Sequence, residues 1–194
     1  MSDFPRTMVG GVSVSRMLIG SNWLLGYSHQ SVAKDHFLKE YQDAKRIADV
    51  FEVFLNAGVD TTIGWLNVNQ VFVDGIQEAQ QRTGKKVIVV DTPSLPVSDG
   101  IIDYDSTAYI LDQSVENGVQ LLLPHQSFTD IVLDRATRTL RGMDKICAMV
   151  RERGMIPGLS THLPESILYS DESNLDVETY VQIYNALGFL MPVE

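Results

Sequence analysis

The sequence predicts an α/β chain in which parallel strands alternate with helices. Three observations predict it. Short apolar runs, often β-branched, recur along the 194 residues; amphipathic segments separate them; and a glycine stands at each joint where a helix gives way to a strand. The runs are apolar at consecutive rather than alternate positions, which suits strands covered on both faces, as in a parallel sheet. Repeated βα units need right-handed crossovers, and two architectures satisfy them: a doubly wound open sheet and a (β/α) barrel of the TIM type.

In order, the apolar runs are 17–19, 61–63, 87–90, 119–123, 155–159 and 189–191. Between them, 41–56 places Ala44, Ile47, Ala48, Phe51, Phe54 and Leu55 on one stripe at spacings of three and four. Residues 137–153 do the same with Leu140, Met143, Cys147 and Val150, and 68–82, 106–117 and 177–187 are shorter versions. Thr137 and Asp176 are candidate N-caps. Gly58, Gly84, Gly118, Gly154 and Gly188 close the helices, where a residue past the helix end adopts left-handed backbone. A dinucleotide-binding open sheet would want Gly-x-Gly-x-x-Gly after its first strand, and Gly20 and Gly26 are spaced wrongly for it. The stretch 93–103 reads as a long loop, no linker interrupts the chain, and 1–194 is expected to be a single domain.

Charge narrows the partners. Fifteen Lys and Arg face 25 Asp and Glu, a formal net charge of −10, and such a surface repels phosphate backbones and anionic membranes. Neither nucleic acid nor membrane is therefore an expected partner. One cysteine, Cys147, precludes an internal disulfide and argues against a structural zinc site; its place on an apolar stripe predicts a buried, inert thiol. No apolar run approaches the roughly 18 residues of a membrane span and no basic, apolar leader opens the chain, so the cytoplasm is the expected location.

Residues 4–22, FPRTMVGGVSVSRMLIGSN, resemble the opening of the aldo-keto reductases, where an N-terminal β-hairpin precedes the first barrel strand. The likeness continues in order. Asn56-Ala57-Gly58-Val59 resembles the joint before strand two, Leu121-Leu122-Leu123-Pro124-His125 the fourth strand and its histidine, and 154–165 the fifth strand and its loop. Gln182-Ile183-Tyr184-Asn185 resembles a motif near strand six, although helical periodicity puts it on the preceding helix. The resemblance implies an eight-stranded barrel using an aspartate, a tyrosine acid, a lysine and a histidine with a nicotinamide cofactor. Here the aspartate position falls near Ile63, the 64–70 loop holds Trp65 and no tyrosine, and Asp91-Thr92 stands where the lysine belongs; only His125 matches. Delivering hydride to a carbonyl needs a proton donor, so the family's Tyr/Lys chemistry is not expected. A barrel of this type takes about 250 residues in eight strands. With six strands, the expectation is a truncated barrel, either part of a longer protein or one whose open edges a second copy covers. NADP is not expected to bind the chain as it stands.

In a βα barrel, chemistry sits at the C-terminal strand ends. Those ends carry Asn22, Tyr27 and His29; Trp65 and Asn67; Asp91 and Thr92; His125 and Gln126; Ser160, Thr161 and His162; and Glu194. The leading expectation is an enzyme on a small polar, carbonyl-bearing molecule. His125 would be the polarising donor or acid and Asp91 the base, with His162 and Asn22 positioning substrate, and Tyr27, His29 and Trp65 lining its site. The plain alternatives are a surfacing strand end for His125, a loop histidine for His162, a turn former for Asp91 and Asn22, and core packing for Trp65. His36 is expected in solvent, Glu165 in the first turn of a helix, and Asp103-Tyr104-Asp105 in a solvated acidic loop. Alternatively, His29, Asp91, His125, His162 and Glu194 could ligate a divalent metal in a hydrolase or isomerase. Two further alternatives are an NADP-dependent oxidoreductase in a longer form and a non-catalytic barrel remnant.

Overall fold

The computed structural model describes residues 4–66 and 69–184. The chain is mixed α/β and divides into two compact units, 1–90 and 91–194.

Unit 1 opens with an antiparallel hairpin, β1 (Arg6–Val9) and β2 (Val12–Ser15), in which Val9 faces Val12. A two-residue turn of this kind needs left-handed backbone at both central positions, and Gly10 and Gly11 have φ of +53° and +86°. Next come β3 (Leu18–Gly20), α1 (Val32–Tyr41) and α2 (Ala44–Asn56). The single helix expected over 41–56 therefore starts at Ala44. Gln42 ends the preceding helix by taking extended backbone, and the carboxylate of Asp43, also extended, caps α2 by accepting from Arg46 N–H at 2.8 Å. β4 (Thr61–Gly64) pairs parallel with β3, Ile19 opposite Thr62. Buried Thr61 and Ser15 each donate a backbone N–H to the other's hydroxyl, at 3.2 and 2.9 Å, joining the hairpin to the sheet. α3 (Gln70–Thr83) is capped by Asn69 and ended by Gly84 at φ +65°. β5 (Ile88–Asp91) follows, and Ile88 N–H donates to Asp60 O at 2.7 Å.

In unit 2, β6 (Val97–Ser98) and β7 (Ile101–Ile102) fold part of the expected 93–103 loop into a small hairpin. Asp103, expected in a solvated loop, is the N-cap of α4 (Tyr104–Glu116) and accepts from Ser106 N–H at 3.0 Å. β8 (Leu121–Leu122) leads through Pro124 into the one-turn helix α5 (Gln126–Thr129). A second hairpin, β9 (Leu133–Asp134) and β10 (Thr139–Leu140), precedes α6 (Met143–Glu152). The helix expected from Thr137 thus begins six residues later, and Thr137 caps nothing. Asp134 Oδ1 accepts from Ala136 and Thr137 N–H at 2.9 and 3.2 Å, and that local turn takes the backbone groups a helix would have used. Met143, Cys147 and Val150 still form the buried stripe of α6, and burial pushes the Cys147 thiol up to about 12.

β11 (Ile156–Pro157) and β12 (Leu159–Thr161) are successive parts of one extended segment. Its first part pairs parallel with β8, Ile156 opposite Leu121, and Gly158 N–H donates to Leu122 O at 3.1 Å. Its second part pairs parallel with β13 (Tyr180–Gln182), which follows α7 (Pro164–Glu172). The helix expected over 177–187 is overturned at this point, because Tyr180, Val181 and Gln182 pair with Leu159, Ser160 and Thr161. Asp176 is accordingly no cap; it pairs with Arg151 at 2.7 Å. The expected run 189–191 and Gly188 lie outside the described residues. Gly58, Gly118 and Gly154 are left-handed at their helix ends, as expected. No described helix is long and apolar enough to cross a membrane.

Within unit 1 the core is made where α2 meets α3. Ile47, Phe51, Leu55 and Phe72 are buried, and the Phe51 and Phe72 rings meet edge-on with centroids 5.8 Å apart. Gly75 allows this approach, since a Cβ there would stand 2.5 Å from Ile47 Cγ2 and 3.0 Å from the Ala44 carbonyl oxygen. Helix propensity alone favours alanine over glycine by about 1 kcal/mol, whereas overfilling a packed contact costs about 1–3 kcal/mol. Gly75→Ala is therefore expected to lower the unfolding free energy in urea titration; equal or higher stability would refute this packing account.

Candidate functional site

The site begins with a strand that must surface. Leu121, Leu122 and Leu123 are buried, so their backbone groups need sheet partners, and Leu123 N–H donates to Asp91 O at 2.9 Å. Pro124 cannot extend the ladder as a donor, and His125 follows at the exit. Its N–H donates to Pro93 O at 2.9 Å, and its side chain becomes the N-cap of α5, accepting from Ser127 N–H at Nδ1 (3.3 Å). A backbone N–H can only donate, so Nδ1 carries a lone pair and the neutral ring holds its proton on Nε2. Ser127 Oγ lies 2.9 Å from the same Nδ1 and 2.9 Å from Ser94 Oγ. A relay from Ser94 O–H to Ser127 O–H to Nδ1 satisfies all three groups.

The imidazole is half-buried, and its proton affinity is depressed. Burial lowers its pKa first, and the neighbouring charge of His162 lowers it further, against an opposing pull from Asp130. Protonating Nδ1 would also break the cap on α5. Near neutral pH the group is thus an uncharged ring with a fixed Nε2–H donor.

His162 leaves the end of β12. Asp130, the C-cap of α5, reaches across to it: Oδ2 accepts from His162 N–H at 3.1 Å, and Oδ1 accepts from the Thr161 hydroxyl. Thr161 is buried and its Oγ1 also accepts from Leu163 N–H at 3.0 Å. The structure thus brings together His125, His162, Ser94, Ser127, Asp130 and Thr161. Asp130, Ser94 and Ser127 were absent from the expected set. The signal for Asp130 was its spacing from His125, five residues along a segment just long enough for a single helical turn.

Asp91 ends β5 fully buried, and its carboxylate accepts from Ser114 Oγ on α4 at 2.8 Å, turned toward a helix of the covering layer. Glu165 stands in the first turn of α7 as expected. Backbone N–H donation at its own position and a hydrogen bond from Arg135 at 3.1 Å lower its pKa.

The remaining candidates lie in unit 1. Asn22 Nδ2 and His29 Nε2 are 3.1 Å apart and both exposed, in the loop after β3. The loop is held by Ser28, whose N–H and hydroxyl donate to Asp35 at 2.7 and 2.6 Å and lower the pKa of that carboxyl. His29 itself takes left-handed backbone at φ +55°. Tyr27 is exposed with Lys39 Nζ 5.1 Å from its ring centroid, His36 is exposed on α1, and Trp65 is half-buried after β4. Asn67 and Glu194 lie outside the described residues. Among the described residues, no group of three or more His, Cys, Asp or Glu side chains is placed to hold a metal ion.

No family model and no curated protein matches the chain. Solved structures do. Two structures of a protein assigned as an aldo-keto reductase from Pseudomonas aeruginosa superpose with a TM-score of 0.56 at 12% identity, over 93% of this chain and 79% and 78% of theirs. KGPDC from Streptococcus mutans aligns with a TM-score of 0.42 at 14% identity, over 72% of this chain and 57% of its own. The Pseudomonas likeness is one of fold: this chain shares the fold of those aldo-keto reductase structures.

The depressed pKa of His125 has a consequence for folding. The unfolded chain binds a proton at this ring more readily than the folded chain, so stability falls with pH through that window. The contribution is complete above about pH 6.5, the usual imidazole value, and is lost as pH drops toward the folded pKa. His125→Asn keeps an N-cap acceptor and removes the titration. The stability lost between pH 7.5 and 5.5 should be smaller in His125→Asn than in the parent, by urea titration at each pH; identical losses would show that the ring contributes nothing.

Proposed function

We propose that this chain is an aldo-keto reductase-like, incomplete (β/α) barrel, and that it acts on a small polar, carbonyl-bearing molecule at the C-terminal ends of β8 and β12. The observation that carries the proposal is the His125 ring, held neutral with its Nε2–H fixed as a donor by the Ser127 N–H at Nδ1. The histidine that the family resemblance assigns to the end of the fourth strand stands three residues past β8, the fourth parallel strand in chain order.

In this proposal the Nε2–H donates to the carbonyl oxygen of the bound molecule and polarises it, as a preorganised neutral donor can without rearranging. His162 supplies a second imidazole at the neighbouring strand end. Asp91 belongs to the scaffold through Ser114, so the base assigned to it passes to no other carboxylate: both Asp130 oxygens are already engaged. With Trp65 in place of a tyrosine loop and Asp91-Thr92 in place of the lysine, hydride transfer by the family's Tyr/Lys pair is not part of the proposal. Polarisation by Nε2–H acidifies the neighbouring α-carbon, whose proton passes to solvent water as the enol forms, so the arrangement suits enolisation or carbonyl hydration better than reduction. A second copy of the chain is the proposed cover for the open strand edges.

A second reading is a non-catalytic barrel remnant that only binds a ligand. The observation favouring it is that one family position of four is matched. The two separate by measurement. Small aldehydes, ketones and 2-oxo acids are titrated calorimetrically, and α-proton exchange of bound compounds is followed by NMR. Binding and exchange should both fall at least tenfold in His125→Asn. Binding without exchange supports the remnant, and unchanged binding in His125→Asn refutes the role of the ring.

A further inference from the structure

The loop after β8 and the end of β12 are joined by one short element. α5 carries His125 at its N-cap and Asp130 at its C-cap, and Asp130 N–H donates to Gln126 O at 2.9 Å, closing the turn. Phe128, fully buried, anchors this turn in the core of unit 2, and Thr129 Oγ1 donates to Pro124 O at 3.0 Å. The two ends of α5 are therefore a rigid pair. One end fixes the His125 ring through Ser127. The other grips the chain where it leaves β12, at two successive residues, through the Thr161 hydroxyl and the His162 N–H.

From this geometry we infer that Asp130 is a positioning residue, which sets the separation of the His125 and His162 imidazoles by clamping the end of β12 to the helix that His125 caps. The inference rests on the functional reading above for its purpose, though its geometry stands without it. A carboxylate suits the task because it offers acceptors only, and both donors that face it, a hydroxyl and a backbone N–H, come from the end of β12 and the residue after it. The charged groups that act on His125 include His162, just past β12, and Asp130, the C-cap of α5. Proximity of the two rings is thus readable as the effect of one ring's charge on the other's titration.

The test needs no substrate. Ring Cε1–H resonances are titrated by NMR in the parent and in His162→Asn, and the resulting change in the His125 midpoint measures the coupling of the two rings. Removing a neighbouring positive charge should raise that midpoint in the parent. In Asp130→Ala the coupling should fall to less than half, and in Asp130→Asn, which keeps one acceptor but no charge, at least half should remain. Thr161→Val preserves the charge of Asp130 and removes one of its two grips, together with the acceptor of Leu163 N–H, so coupling should fall there too, and this variant decides the matter if Asp130→Ala does not fold. Undiminished coupling in Asp130→Ala or in Thr161→Val overturns the inference, as does an Asp130→Asn value no better than that of alanine, which would mark a charge effect. If His125→Asn leaves ligand binding intact while these couplings behave as expected, the functional reading fails and the clamp stands.

Discussion

A parallel strand can be paired only if the chain first returns to the end from which its neighbour started. Within unit 2 that constraint settles where the side chains of the candidate site meet. α6 carries the chain back from the end of β8 to the start of β11, so β8 and β12 finish at the same end, and residues 37 positions apart leave the sheet side by side. The backbone is still paired as the strands reach that point. Leu123 N–H goes to Asp91 O and Gly158 N–H to Leu122 O, and the first side chains free to point elsewhere are those just past the ladder.

What collects there is two imidazoles, three hydroxyls and a single carboxylate, Asp130, in a chain whose net charge is −10. An imidazole capping a one-turn helix is an unusual cap, because the ring accepts at Nδ1 only while uncharged. Capping and electrophilic donation thus become one property: the hydrogen bond that begins α5 is the one that leaves Nε2–H as the donor. The Ser94 and Ser127 hydroxyls extend this order into the loop after β5. Asp91, by contrast, spends its carboxylate on Ser114 of α4, where a buried acceptor ties a strand to its covering helix. Two aspartates in one unit have parted roles, Asp91 within the layers and Asp130 at the strand ends.

Unit 1 shows the same division between layers and rim. Its interior is a close helix contact made by Ile47, Phe51, Phe72 and Gly75. Its loop after β3 keeps Asn22, Tyr27 and His29 exposed, on a backbone that Ser28 and Asp35 hold in shape. The fold shared with the Pseudomonas structures extends over nearly the whole chain at very low identity. That is what a common layering of strands and helices with independently chosen rims produces.

The alternation of strands and helices was legible from the residues alone, because burial on both faces leaves continuous apolar runs and glycines mark the helix ends locally. So were the N-terminal hairpin, the stripe of α2 and the place of His125 after a three-leucine strand. Local periodicity failed where a local hydrogen bond or a distant strand competed with it. Asp134 captured the backbone before α6, and β12 captured Tyr180 to Gln182, a segment whose spacing suits a helix equally well. The partners of the candidate site were decided only by tertiary structure. Whether Asp91 faces a helix or the rim, and whether Asp130 meets His162, depends on crossovers that join residues far apart in sequence, and no spacing along the chain encodes which way a strand-end side chain will turn.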